Sequence, residues 1–414
     1  MESISLKDRE ILRELAKHKL ELFNEERNQL NLTDWLLHNT FRGKRPMIHL
    51  EIGCFWLEVF PQRLKCEGRL ARNFEERLWE SFINYEVFRD DYPVTDYFHV
   101  ERRVEHIPFG VKTKVTHAVN EDGENTLGFR IDNIINDLEQ DYHILGSSID
   151  TYDKKATTEY ADAASDIFGD ILPVRIKSNA LYSVPTRYVV NLMGMENMFI
   201  AMCDYPELFH KMMKQFADDT IAYFRFLENN DALNPTTGAE YVGQGSWCFT
   251  DELPSSGTVT SKDVWGFLDS QETVGVSPSM YAEMVFPYYE MIDEQYGLLS
   301  YGCCEPVHPF WENCLSKLKN LRKVSISPWC DEEYMGAMLK GRKTIYHRKP
   351  RTDYLGIDVV LDEDALRADI RKTLKAAQGC TLEITQRDIY TIHNNESKAI
   401  RYVEIIKEEI NNHW

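Results

Sequence analysis

The chain has 414 residues, 28% charged and 12% aromatic, and 67 Asp and Glu against 47 Lys and Arg give a formal charge of -20. That length suits one large barrel or two ordinary domains with a sizeable core, and the acidic balance, which repels phosphate backbones and anionic lipid, speaks against nucleic-acid and membrane partners. No stretch reaches the roughly 20 apolar residues of a membrane span, the charged start lacks a signal-peptide core, and nine cysteines show no secreted disulfide spacing, so a cytoplasmic protein with reduced thiols is expected.

From 6 to about 29 the spacing of Ile11, Leu12, Leu15, Leu20, Leu22 and Phe23 among charges predicts an amphipathic helix. A second begins at 32–35, with Thr33 or Asp34 as its cap. Residues 1–44 therefore read as a helical arm, a lid or packing element whose apolar face could also meet a second copy of the chain. The main domain is expected over 45–414. Its first strand is the apolar run 45–53, behind a proline and closed by a glycine, with Glu51 at its far end. Helical sequence follows over 73–88, then a second strand over 96–102 that carries His99. Alternation over 111–117 and 126–131 around Asp122-Gly123 predicts a β-hairpin, part of an insertion around 104–153.

In the second half, 187–192 reads as a strand, and Asp204-Tyr-Pro-Glu207 opens a helix to about Leu227 with Asp204 as cap and Pro206 in the first turn. Residues 241–246 form a glycine-containing strand end, followed by a loop through Asp251 and Glu252. Short apolar stretches at 265–270, 298–303, 324–327 and 343–347 alternate with helices opening at Ser277-Pro278 and around 311–318 and 332–340. A helix to Ala377 that Gly379 can end, a strand at 380–384 and a helix at 395–410 complete the chain. At least eight candidate strands in βαβα order, with no Gly-rich dinucleotide fingerprint, predict an α/β fold: a closed (β/α)8 TIM-type barrel. Polar residues at the strand ends (Glu51, His99, Gln244, Cys303, Glu305, Ser327 and His347) would line one mouth.

Alternation along a strand puts Tyr301, Cys303 and Glu305 on one face, and Pro306 ends the strand. A thiol beside a carboxylate at a barrel mouth suits a metal, and it equally suits two buried cysteines acting as small hydrophobes. Phe55, Trp56, Tyr97, Phe98, Trp247 and Phe249 fall near strand ends, where they could hold a flat ring or fill the core.

Residues 191–198 with 204–207, 243–254, 298–306, 343–350 and 379–391 together resemble the uroporphyrinogen decarboxylase superfamily, which includes the corrinoid-dependent methyltransferases of anaerobes. The likeness spreads over roughly 45–410. The decarboxylases carry an arginine-rich stretch after the first strand, and 51–58 has no arginine here, so the methyltransferase branch is the better match. That resemblance implies methyl transfer between a small methylated substrate and a partner protein that supplies the corrinoid. It also implies zinc at the barrel mouth, held in the family by a His-x-Cys and a later Cys after a Gly. Cys303 and Cys380 stand at the cysteine positions and Tyr301 where the histidine would be, leaving Glu305 and His347 as replacement ligands. Such a metal would bind a thiol acceptor or draw on an ether oxygen, and O-demethylation of a methoxylated aromatic follows as the expected reaction. Catalytic roles then fall to Glu305, His347 and His99, and substrate contacts to Glu51, Gln244, Trp247, Asp251 and Tyr301. Two other readings stand beside this one. A metal-free decarboxylase or lyase would act on a small or tetrapyrrole carboxylate, with His99 or His347 as acid and Arg348 or Lys349 as clamp. A non-catalytic binding barrel would use its acidic surface on a basic partner.

Overall fold

The computed structural model describes residues 4–119 and 125–414. Its centre is a parallel sheet of β1 (Met47–Leu50), β2 (Leu181–Ser183), β3 (Trp265–Leu268), β4 (Leu298–Tyr301), β5 (Leu321–Ile326), β6 (Ile345–Arg348) and β7 (Leu382–Gln386). These seven pair in the order β1-β7-β6-β5-β4-β3-β2, so the last strand returns to the first, as a TIM-type barrel requires. No backbone ladder joins β1 to β2. A small hairpin, Tyr241–Gly243 against Ser246–Trp247, bridges that seam. The Tyr241 carbonyl accepts from Ala180 N–H beside β2, and the Tyr241 hydroxyl donates to Glu51 beyond β1.

Helices Pro206–Asn229, Phe286–Asp293, Glu332–Leu339, Glu363–Ala376 and Glu396–His413 cover the outer face of the sheet. Outward residues of the strands, such as Ile48, Leu50, Leu299, Tyr301, Val324, Ile326, Leu382 and Ile384, are buried against them. The expected strand at 187–192 is instead the first half of a helix, Pro185–Asp204. A short apolar run does not reveal its own periodicity, and Pro185 in the first turn is the signal that favours a helix. Asp204 ends that helix rather than capping the next one, whose N-cap is Tyr205. The stretch 311–318 has single 3-10 turns at His308–Phe310 and Leu315–Lys317 on either side of irregular backbone. The strand Phe98–Glu101 forms, but it pairs with Val174–Lys177 in a separate two-stranded sheet, which takes His99 out of the barrel. The expected hairpin pairs Lys114–Val119 with Asn125–Asp132, and its Asp122-Gly123 turn lies outside the described residues.

The N-terminal arm comprises Leu6–Asn24 and Glu26–Asn39. Its first helix starts where the Ser5 side chain accepts from Asp8 N–H, and the Asp8 carboxylate in turn accepts from Glu67 and Gly68 N–H. Leu12 and Ala16 are fully buried with Phe74, Phe98 and Phe168. Much of the apolar stripe is thus packed against the chain itself, while Ile11, Leu15, Leu20 and Phe23 are half-buried. The second helix closes the N-terminal end of the barrel: Asn39 donates to the Trp247 carbonyl and accepts from Arg322, while His38 Nε2 lies 3.6 Å from Glu383. With that end covered, the barrel opens at the C-terminal ends of its strands.

Within the arm, Lys19 is buried and donates to the Tyr97 carbonyl at 2.6 Å, and burial pulls its pKa down to about 7 from 10.5. A lysine whose folded pKa is depressed destabilises the fold fully below the folded pKa, and the penalty fades as pH rises toward the unfolded value. Lys19→Met is therefore expected to stabilise the protein at about pH 6 and to have little effect near pH 10. Urea unfolding at the two pH values checks this, and an equal effect at both would show that the ammonium carries no penalty.

Candidate functional site

The period of two along each strand builds the site. Inward positions along β1, β5, β6 and β7 are His49, Lys323 and Ser325, His347, and Glu383 and Thr385; two residues further on stand Glu51, Ser327, Lys349 and Arg387. Most barrel interiors are packed with branched apolar side chains. This one is a polar column. Lys323 Nζ donates to Glu383 at 2.9 Å and to the Trp247 carbonyl at 3.3 Å, with Ser246 Oγ also in contact. His347 Nε2 lies 2.8 Å from Thr385 Oγ1, 2.7 Å from Lys349 Nζ and 3.4 Å from Glu383. Burial opposes ionisation of Glu383, yet His347, Lys323 and His38 around it hold the carboxyl well below its usual range. Burial also pulls His347 well below, and His38 below, the usual imidazole range. Lys323 and Glu383 thus form a balanced buried pair beneath the mouth.

At the mouth the column widens into a ring of charge. Burial opposes ionisation of Glu51, but Arg387 at 3.1 Å and the Tyr241 hydroxyl at 2.7 Å keep its carboxyl below the usual value. Lys349 donates to the Gln244 carbonyl, and burial, aided by Arg387, lowers its pKa to about 7. The hairpin turn that supplies this carbonyl runs through three left-handed residues, Gly243, Gln244 and Gly245. A side chain at Gly245 would meet Thr385 at 2.3 Å, so glycine is what lets the backbone enter the barrel there. Arg387 Nη1 also donates to Cys303 Sγ at 3.8 Å, Cys303 and Cys304 Sγ are 3.5 Å apart, and Cys304 donates to Asp388 at 3.3 Å. The contact with Cys304, then burial, pushes the Cys303 thiol up, so it is protonated. Asp269, which interacts electrostatically with Glu305 and Cys303, follows β3 with Oδ1 buried and without a partner. Burial, then Glu305 and Cys303, hold its carboxyl well above the usual range. Beside this ring is a cavity of about 360 Å³ lined by Cys304, Trp329, Lys349, Arg351, Arg387 and Asp388.

Of the residues expected from sequence, Glu51, Gln244 and Cys303 reach this mouth, with His347 one layer below. Glu305 is adjacent and fully buried, but its two oxygens accept from Ser270 and Cys303 N–H, which fixes the loop. Tyr301 faces the helices, not the barrel: its hydroxyl meets Ser270 Oγ at 2.6 Å and Tyr281 at 2.8 Å. Gly302, at φ +96°, breaks the alternation after Tyr301, which is why the expected common face of Tyr301 and Cys303 fails. Trp247 packs with Trp35 and Met47, and Asp251 pairs with Arg42 at the surface. His99 Nε2 donates to the Lys177 carbonyl at 3.1 Å and lines a different cavity, with Lys19, Tyr97 and Trp247. Arg348 points outward to Glu332, so of these two clamp candidates only Lys349 reaches the mouth. Phe55, Tyr97, Phe98, Trp247 and Phe249 are buried, Trp56 is exposed, and Tyr182, Trp329 and Tyr390 are further exposed aromatic side chains.

Cys380 corrects the implied zinc set. It precedes β7 and contacts the Gly336 carbonyl, whereas Cys303 follows β4; in a parallel sheet these are opposite ends. Even a five-residue strand separates them by about 15 Å. With Tyr301 turned outward and Glu305 committed to backbone, the proposed donors do not fit one zinc ion. Among the described residues no group of three or more His, Cys, Asp or Glu side chains is placed to hold a metal. Sequence reasoning missed Asp269 and Arg387. Both lay in view as polar residues two positions past inward strand residues, in Phe267-Leu-Asp269 and Thr385-Gln-Arg387.

No protein-family model matches the chain, and no curated protein matches it. Among solved structures, a methyltransferase from Methanosarcina mazei superposes on 91% of this chain and 98% of its own, with a TM-score of 0.49 and 9% sequence identity.

Proposed function

We propose that this chain is a methyltransferase that takes the methyl group from a small O-methylated carboxylic acid, a methoxylated aromatic acid fitting best, by acid catalysis at the barrel mouth. The observation that carries this reading is the placement of two cations, Arg387 and Lys349, and one protonated acid, Asp269, around Cys303. The family resemblance of the sequence supports methyl transfer, and the scattered donor set speaks for a reaction without zinc. Arg387 and charged Lys349 hold the substrate carboxylate. Asp269 gives its proton to the ether oxygen as the methyl carbon–oxygen bond breaks, so the leaving group departs as a neutral hydroxyl compound. The electron pair that forms the new bond to the methyl carbon comes from an acceptor at the open mouth. A reduced corrin on a partner protein would supply it, and the exposed Trp329 and Tyr390 offer aromatic faces for a broad ring.

The test is incubation of the purified protein with methoxybenzoates and a reduced corrinoid, following loss of the methoxy group. Demethylation that Arg387→Leu reduces mainly through a higher KM is expected. A lyase reading shares the cation pair, because Asp269 could equally protonate the carbanion left when carbon dioxide departs. Release of carbon dioxide with the methoxy group intact would replace transfer with that reading, and neither product would sink both.

A further inference from the structure

Two cysteines adjacent in sequence stand at the mouth with their sulfurs in contact, and neither is needed for the acid chemistry above. Their surroundings form one line of donors. Arg387 donates to Cys303, the two sulfurs are 3.5 Å apart, and Cys304 donates to the Asp388 carboxylate at 3.3 Å. Cys303 is buried, while Cys304 is half-buried on the wall of the 360 Å³ cavity, open to a small reagent. Cys303 N–H is tied to Glu305 and Gly302 turns the chain at φ +96°, so the pair is held in place by the loop.

We propose that Cys303 and Cys304 are a reversible oxidation site, closed to a vicinal disulfide by hydrogen peroxide. Cys304 passes its proton to Asp388, and its sulfur takes one peroxide oxygen as the O–O bond breaks. The departing hydroxide recovers that proton as water, leaving a sulfenic acid on Cys304. Cys303 sulfur then displaces hydroxide from it, and the Cys303 proton leaves with that hydroxide as a second water. Two thiols lose two electrons and peroxide gains them.

Geometry makes this bond a switch and not a staple. All described peptide bonds are trans, so neighbouring Cα atoms are about 3.8 Å apart. An ordinary disulfide spans about 4.4–6.8 Å between Cα atoms, so the vicinal bond is strained and easily reduced. Closing it also withdraws the Cys304 thiol from Asp388 and alters the wall beside Arg387.

The test needs no substrate and is independent of the proposed reaction. The full chain is treated with graded peroxide, denatured, labelled with N-ethylmaleimide, digested and read by tandem mass spectrometry. The expected result is a peptide lighter by two hydrogens, unlabelled at both Cys303 and Cys304, with both labels restored by dithiothreitol. Labels there should disappear on the order of tenfold faster than at exposed Cys203, and Cys304→Ser should keep Cys303 labelled. Cys203 oxidising first while the pair keeps its labels would overturn the proposal. So would Cys304 going irreversibly to sulfinic acid.

Discussion

Glu383→Ala is expected to destabilise the protein by about 3–5 kcal/mol, because it strands the Lys323 ammonium in the barrel with no counter-charge. Both side chains are fully buried, and the pair sits between the arm that closes one end and the mouth that opens at the other. Removing one partner costs far more than the pair's net contribution, since desolvation of the survivor is no longer offset. Replacing both, as Lys323→Met with Glu383→Leu, should therefore recover most of the loss. Urea unfolding of the two variants decides it: a single mutant costing less than about 1 kcal/mol would mean that Lys323 is not held charged there. The pH dependence has a definite sign. The folded pKa of Glu383 is depressed, so its contribution is present above the unfolded value of about 4.5 and lost as pH falls below it.

Asp269→Asn is expected to lower kcat by about 10²–10⁴-fold with a small change in KM, the mark of a group that acts in the transition state. Asparagine keeps the shape but has no proton to give. In the wild type kcat/KM should fall as pH rises, for two reasons of the same sign. Asp269 must stay protonated, which its raised pKa permits, and Lys349 must stay charged, which ends as pH passes its value of about 7. In Lys349→Met the step near neutrality should vanish. Wild-type kcat in Asp269→Asn would remove the acid from the mechanism.

The barrel was legible because alternating strand and helix sequence leaves few ways to bury both faces of a parallel sheet. Apolar runs with polar ends located β1 and β3 through β7 to within a few residues, and they brought Glu51 and Cys303 to one end of the sheet. Two kinds of information were missing from that reading. The strand period does not say where a chain leaves its strand: Gly302 turns at φ +96°, so Tyr301 faces the helices and Cys303 the mouth. Nor does likeness in sequence fix which end of a strand a residue occupies. Cys380 was paired with Cys303 by a Gly-Cys pattern, but it stands before β7, and Arg387 and Asp388 after that strand are what reach the thiols.

By itself, then, the sequence determined the α/β barrel, the helical arm and the strand-end polar residues, because hydrophobic period and turn chemistry are local. Only the tertiary structure decided that Lys323, Glu383 and His347 form a polar column inside the barrel and that Asp269, Lys349 and Arg387 share its mouth with two touching thiols. Charge pairing, burial and the resulting protonation states depend on groups tens to hundreds of residues apart, and no window along the chain contains both partners.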